Sequence, residues 1–304
     1  MSVRKNEERS GAHNPDDSSA AVTAATAAEP SAAPTKNAGK NQSLSFVVPT
    51  EFVDLPSEGK YYHEGHVLHG VDQIEIRYMT AKEEDILTSK SLLKKGVAID
   101  RFIGNLIVDR SINVESMLVG DKNALLVAAR SSGYGTEYKT KVACPACGET
   151  QEYEFDLEQN TVVGFHTEVF ENSSYHQHVV KNANGTFDIQ LPKSQVTVTV
   201  KLLTGADEQK LAKNMKQKSR AHGHETMLTD QFRSYIVAVN GSEFARDINT
   251  FVNAMPALDS RFLRTAYQGL APNIDLTQFF SCDSCGFEQD MEVPFTADFF
   301  WPKS

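Results

Sequence analysis

The chain has 304 residues with 40% hydrophobic content, enough for a sizeable core in one large or two small domains. Its net charge of −10 works against a general nucleic-acid binder, which must neutralise phosphates. No stretch approaches the ~18 apolar residues of a membrane span, and the first eight residues, Met1 to Glu8, lack the apolar segment of a signal peptide.

Residues 1–45 are rich in Ala, Ser, Thr and Pro, and the first aromatic residue is Phe46. Such a composition buries too little apolar surface to offset the entropy of ordering, so a disordered tail is expected. Ordered structure should begin near Phe46-Val47-Val48-Pro49. A turn-rich strip with adjacent tyrosines follows, Val53 to Tyr62, and then His63, His66 and His69 at steps of three. Gly65 and Gly70 make a solvated loop the better reading of these histidines than a metal-binding helix face. Ile74 to Tyr78 alternates as a strand.

Thr80-Ala81-Lys82-Glu83 has the form of a capping box, opening a helix expected to run through Leu87 and Leu92 to Gly96. Glu83-Glu84-Asp85 then complements the positive end of the helix dipole, which explains the acidic triplet more simply than a catalytic or metal cluster does. Ile99, Phe102, Ile103, Leu106 and Ile107 predict a second helix. Asp121 is a candidate cap for a third, carrying Leu125, Leu126 and Ala129 and ending in a turn at Ser132-Gly133-Tyr134-Gly135. Tyr138, Thr140 and Val142 alternate into Cys144-Pro145-Ala146-Cys147-Gly148.

Residues 159 to about 186 give no clear pattern beyond a turn at Asn182 to Gly185. Phe187–Leu191 and Val196–Leu202 predict a hairpin around Pro192. Thr204 can cap a helix from Ala206 to about Ser219, made basic by Lys210, Lys213, Lys216, Lys218 and Arg220. Without interleaved aromatics this is better read as a solvated face, or a contact for an acidic partner, than as a nucleic-acid site. Leu228, Phe232, Tyr235, Ile236 and Val239 predict a helix ending at Asn240-Gly241. A short helix is expected at Ile248 to Val252 and a last one at Leu258 to Ala266. Ile274 to Phe280 leads into Cys282-Asp283-Ser284-Cys285-Gly286, and the chain closes on Phe295, Phe299, Phe300, Trp301 and Pro302. These terminal aromatics must dock on the core or bury in a partner.

The two Cys-x-x-Cys-Gly stretches hold all four cysteines. Two intervening residues let both thiolates of a pair face one ion, and the glycine permits the bend back into a strand. Two such pairs make up a four-cysteine zinc site with Cys144, Cys147, Cys282 and Cys285 as ligands. The flanks repeat in register: Gln151 matches Gln289, Glu154 matches Glu292, and Tyr153/Phe155 match Met291/Val293. Each half reads strand, knuckle, strand. Between Cys147 and Cys282 lie 134 residues. Widening a loop from ~20 residues to that length costs about 2 kcal/mol, against roughly 10–16 kcal/mol of apparent binding free energy for structural zinc.

The alternatives are weaker. A thioredoxin-like redox pair belongs at a helix start after a strand, whereas strand patterns follow both motifs here. Two disulfides would suit an oxidising compartment, for which nothing else speaks; a reducing cytoplasm is the default. No phosphate-cradling glycine loop is present, a closed four-sulfur site leaves no position for activating water, and the pairs His176/His178 and His222/His224 lie in polar, turn-prone stretches.

Leu55-Pro56-Ser57-Glu58-Gly59-Lys60-Tyr61-Tyr62, Met79 to Leu87 and Leu92-Leu93-Lys94-Lys95-Gly96, in that order, resemble the baseplate hub proteins of T-even-like contractile-tailed bacteriophages. So do Ala129 to Tyr138 before a Cys-Pro-x-Cys knuckle, and the ending Phe299-Phe300-Trp301-Pro302. The resemblance implies a virion protein of the tail baseplate or its central hub, assembled in the host cytoplasm, with other baseplate proteins as partners and no small-molecule substrate. The expected fold is α+β: a tail (1–45), N-terminal helices with the first half of a split zinc ribbon (46–158), a mostly helical insertion with one hairpin (159–271), and the second ribbon half with the aromatic C-terminus (272–304). The expected function is non-enzymatic, structural or in assembly. The alternative is a nucleic-acid-binding zinc-ribbon protein.

Overall fold

The computed structural model describes residues 47–222, 227–294, 299 and 300; the expected tail and Trp301 lie outside them. β1 (Thr50–Asp54) pairs antiparallel with β2 (Gln73–Arg77), Val53 opposite Ile74. α1 (Ala81–Thr88) and α2 (Lys90–Lys95) follow. The single helix expected from Thr80 to Gly96 is broken at Ser89, whose backbone is extended (φ −65°, ψ 103°). Ser89 ends one helix and supplies the carbonyl that Leu92 and Leu93 bond to in the next. Glu83 accepts from the Thr80 backbone N–H at 3.1 Å, as a capping box requires.

α3 (Ala98–Leu106) buries Phe102, Ile103 and Leu106. α4 (Val119–Tyr134) begins two residues before Asp121 and continues through the expected turn to Gly135, where φ is 86°. Asp121 is therefore not the cap; its carboxylate is used elsewhere. β3 (Glu137–Ala143) and β4 (Thr150–Asp156) form the first ribbon hairpin, with Tyr138, Thr140 and Val142 on the buried face as their alternation requires.

The stretch that gave no sequence pattern holds β5 (Thr161–Val163), α5 (Glu168–Glu171), a 3₁₀ turn (His176–His178) and β6 (Val179–Lys181). β7 (Phe187–Gln190) and β8 (Thr197–Val200) are the expected hairpin. α6 (Gly205–His222) and α7 (Met227–Tyr235) come next. Ile236 to Val239, expected to continue α7, is instead strand β9 (Ile236–Val239). The hairpin is thus the centre of a four-stranded antiparallel sheet in the order β6-β7-β8-β9. Phe187, Ile189, Val198 and Val200 are fully buried in it. α8 (Ala245–Ala254) and α9 (Ala257–Leu270) complete this part, Tyr267 of α9 stacking on Tyr235 at 4.1 Å.

β10 (Asn273–Asp275) returns to pair with β5, Ile274 opposite Val162. Two strands far apart in the chain are thereby tied into a neck, and Phe165 N–H bonds Leu270 O at 2.9 Å just beyond them. The start of α4 lies against this neck so closely that a Cβ on Gly120 would sit 1.8 Å from Pro272 O. β11 (Thr277–Ser281) and β12 (Glu288–Glu292) form the second ribbon hairpin. Of the terminal aromatics, Phe295 and Trp301 lie outside the described residues, while Phe299 lies edge-on to Tyr138 and Phe300 to Phe102, both at 5.2 Å. The architecture is α+β with antiparallel pairing throughout, and one contiguous apolar core runs from Val53 to Phe300. No helix among the described residues is long and apolar enough to cross a membrane.

Candidate metal centre

The two knuckles have the same backbone. Cys144 N–H bonds Glu149 O at 2.8 Å and Gly148 N–H bonds Cys144 O at 2.9 Å. In the second half Cys282 N–H bonds Phe287 O at 2.9 Å and Gly286 N–H bonds Cys282 O at 2.8 Å. Gly148 (φ 75°) and Gly286 (φ 69°) make the same left-handed bend, which is why glycine follows each pair.

Folding brings the pairs face to face. Cys144 Sγ lies 3.8 Å from Cys285 Sγ, Cys147 Sγ lies 3.8 Å from Cys282 Sγ, and all four sulfurs fall within 4.8 Å of one another. These separations are far beyond a disulfide bond of about 2.05 Å. The two 3.8 Å separations match the edge, about 3.8 Å, of a tetrahedron whose centre lies ~2.3 Å from each sulfur, the zinc–thiolate distance. Cys144 and Cys282 are buried and Cys147 and Cys285 exposed, so each knuckle contributes one inner and one outer thiol.

The electrostatics are those of crowded thiols. The Cys147 and Ala146 backbone N–H groups draw the Cys144 thiol down to about 7. At Cys285 the Phe287 N–H pulls down, but desolvation and the neighbouring thiols outweigh it and raise the group to about 12. One thiolate forms readily and further ones repel it, a repulsion that a cation held at the centre of the four would relieve.

Side chains stitch the halves together around the thiols. Gln151 donates from Nε2 to Ser281 O at 2.9 Å and accepts from Asp283 N–H at 3.0 Å. Tyr153 OH donates to Phe279 O at 2.9 Å, and its ring packs against Phe280. Gln278 accepts from Asp156 N–H and donates to Asp156 O.

Among the described residues the four cysteines are the one group of potential ligands close enough to share an ion. The loop histidines are tied locally: His69 donates to Tyr62 O at 2.7 Å and His63 to Glu64 O at 2.9 Å. His66 accepts the Leu68 N–H at Nδ1, so Nε2 carries the proton and donates to Ser116 Oγ at 2.9 Å. Ser116 in turn donates to Asn113 O. This serine–histidine pair, on the wall of an open cleft of about 470 Å³, is polarised against general-base activation of the serine. His176 and His178 pack beside Phe170 and Phe262. The His222 side chain and His224 lie outside the described residues, as do the side chains of Lys216, Lys218 and Arg220; Lys210 and Lys213 are exposed.

Three buried polar clusters escaped sequence reading. Asp121 accepts from Ser57 N–H, Ser57 OH and Tyr62 OH at 3.0, 2.7 and 2.6 Å. Lys122 reaches Asp100 at 2.7 Å and Glu208 at 2.9 Å, joining α3, α4 and α6. Arg130, wholly buried, donates to the carbonyls of Gly135, Glu137 and Phe299. The Leu55–Tyr62 motif offered a signal for the first, since its polar residues recur within one tight turn.

The described residues form an α+β fold in which two cysteine hairpins, far apart in the chain, meet at one thiol cluster. Residues 48–301 match the family model described as T4 bacteriophage base plate protein, and the chain belongs to that family. No curated protein and no solved structure matches it. Membership supports a structural role in the phage tail baseplate, in assembly with other phage proteins, and families of this kind are typically non-enzymatic.

Proposed function

We propose that this chain is a zinc-stapled, non-enzymatic subunit of the central hub of the baseplate, acting in the particle or in building it within the host cytoplasm. Cys144, Cys147, Cys282 and Cys285 hold one zinc ion, whose contribution is structural, as four thiolates leave no open position. The ribbon they close carries the helices of residues 46–158 on one side of its sequence and the insertion of 159–271 within it. Clamping both ends of the ribbon fixes the insertion relative to those helices, so that neighbouring subunits meet a rigid surface.

The observation that carries this reading is the pair of 3.8 Å sulfur separations across knuckles 134 residues apart. Complementation of a phage lacking this protein tests it. Cys144→Ser and Cys282→Ser are expected to lose zinc, measured on purified protein, and to stop tail assembly, seen by electron microscopy. Normal tails built with metal-free variants would contradict the mechanism.

A further inference from the structure

The ribbon halves repeat each other, but their outward faces differ in charge. In the first half the acidic positions of β4 face lysines on β3: Lys141 stands opposite Glu152, and Lys139 opposite Glu154 at 3.3 Å. In the second half those acidic positions are Asp290 and Glu292, joined by Glu288 on the same exposed side of β12. The lysine positions have become Phe279, opposite Asp290, and Thr277, opposite Glu292. Among the described residues no lysine or arginine reaches these carboxylates, and Phe279 is 56% exposed. One sheet face thus neutralises itself, while its counterpart presents a large apolar ring inside three unmatched negative charges.

The same chain carries the complementary surface. From Gln209 to His222, α6 contains five lysines and arginines and no acidic residue. Lys210 and Lys213, one helical turn apart, are exposed, and no acidic group among the described residues pairs with them. The nearby carboxylates are already taken: Glu208 by Lys122 and Asp207 by Lys201. A β-strand spaces alternate residues by about 6.7 Å and an α-helix spaces i and i+3 by about 4.5 Å. A helix laid along β12 therefore brings two lysines within reach of successive acidic side chains, with their methylene stems over Phe279.

We propose that the β11–β12 face around Phe279 is the docking surface for the basic α6 of a second copy of this chain. The contact is heterologous, joining unlike surfaces, so copies add head to tail and close only as a ring. A patch this small and charged makes a weak, salt-sensitive contact when isolated. The inference does not depend on zinc, except in needing an intact ribbon.

Sedimentation velocity of the purified full-length chain at low and high salt tests the proposal. The wild type is expected to associate as its concentration rises at ~50 mM salt and to become monomeric near 500 mM, where screening shortens to a few ångströms. Glu288→Lys/Asp290→Lys/Glu292→Lys and, separately, Lys210→Glu/Lys213→Glu should each be monomeric at low salt, with unchanged metal content and circular dichroism. Mixed together, the two variants should pair, because the reversed ribbon now meets a reversed helix. A wild type that stays monomeric at low salt, association indifferent to either reversal, or a mixture that fails to pair would overturn the proposal. So would a monomeric chain whose Lys210 and Lys213 instead bind a DNA duplex, which would assign the helix to nucleic acid.

Discussion

Asp121 shows how much of this structure depends on single buried polar groups. It sits in the first turn of α4 and accepts three hydrogen bonds from the Leu55–Tyr62 loop. Asp121→Ala leaves three donors without an acceptor, and an expected loss of about 3 kcal/mol should appear in urea unfolding. Burial raises its carboxyl above the ordinary 3.8, with the bonds from Tyr62 and Ser57 pulling the other way. An acid raised on folding contributes stability fully below its unfolded value and loses it as pH climbs through the folded one. The stability of wild type minus that of Asp121→Asn should therefore fall as pH rises from 3.8; a flat or rising difference would refute the assignment. Lys122 presents the companion case. It is 3% exposed between Asp100 and Glu208, and Lys122→Met should cost about 3 kcal/mol by stranding Asp100. Restoring most of that loss in Lys122→Met/Asp100→Leu would show that the stranded charge is the cause.

At the scale of elements, the β5–β10 neck carries the heaviest constraint. Gly120→Ala would drive a methyl group into the Pro272 carbonyl. It should destabilise by about 1–3 kcal/mol and speed hydrogen exchange at β5 and β10. Gly104→Ala in α3, where the nearest atom is a Val114 methyl at 3.4 Å, should instead gain up to ~1 kcal/mol from helix propensity. Equal effects at the two glycines would count against the neck. The knuckles were legible in sequence because chemistry fixes them: two thiols, two spacers and a glycine have few other uses. β9 was not, because Ile236 and Val239 extend the helical spacing of Leu228, Phe232 and Tyr235, and four apolar residues carry no decisive period. β6 was hidden by its three-residue length. The break at Ser89 and the real partners of Asp121 also lay beyond local pattern. Serine suits either a cap or a helix, and an aspartate near a helix start looks the same whether it caps that helix or bonds a loop 64 residues away.

At the scale of the whole molecule, the described residues share one core, and segments far apart in the chain meet twice, at β5–β10 and at the four thiols. This makes 134 residues between the cysteine pairs tolerable: the closed neck shortens the loop that the proposed zinc would close. Chelation should then loosen the chain unevenly. Amides of β3–β4 and β11–β12 should lose protection first, while those of the β6–β9 sheet, held by Phe187, Ile189, Val198 and Val200, persist. Simultaneous loss everywhere would mean that the insertion has no stability of its own. The most direct test of the account is zinc-edge X-ray absorption with metal analysis on the purified chain. One zinc per chain, with four sulfurs at about 2.3 Å, is the predicted result. A folded chain without metal, or a zinc bound by fewer than four sulfurs, would contradict it.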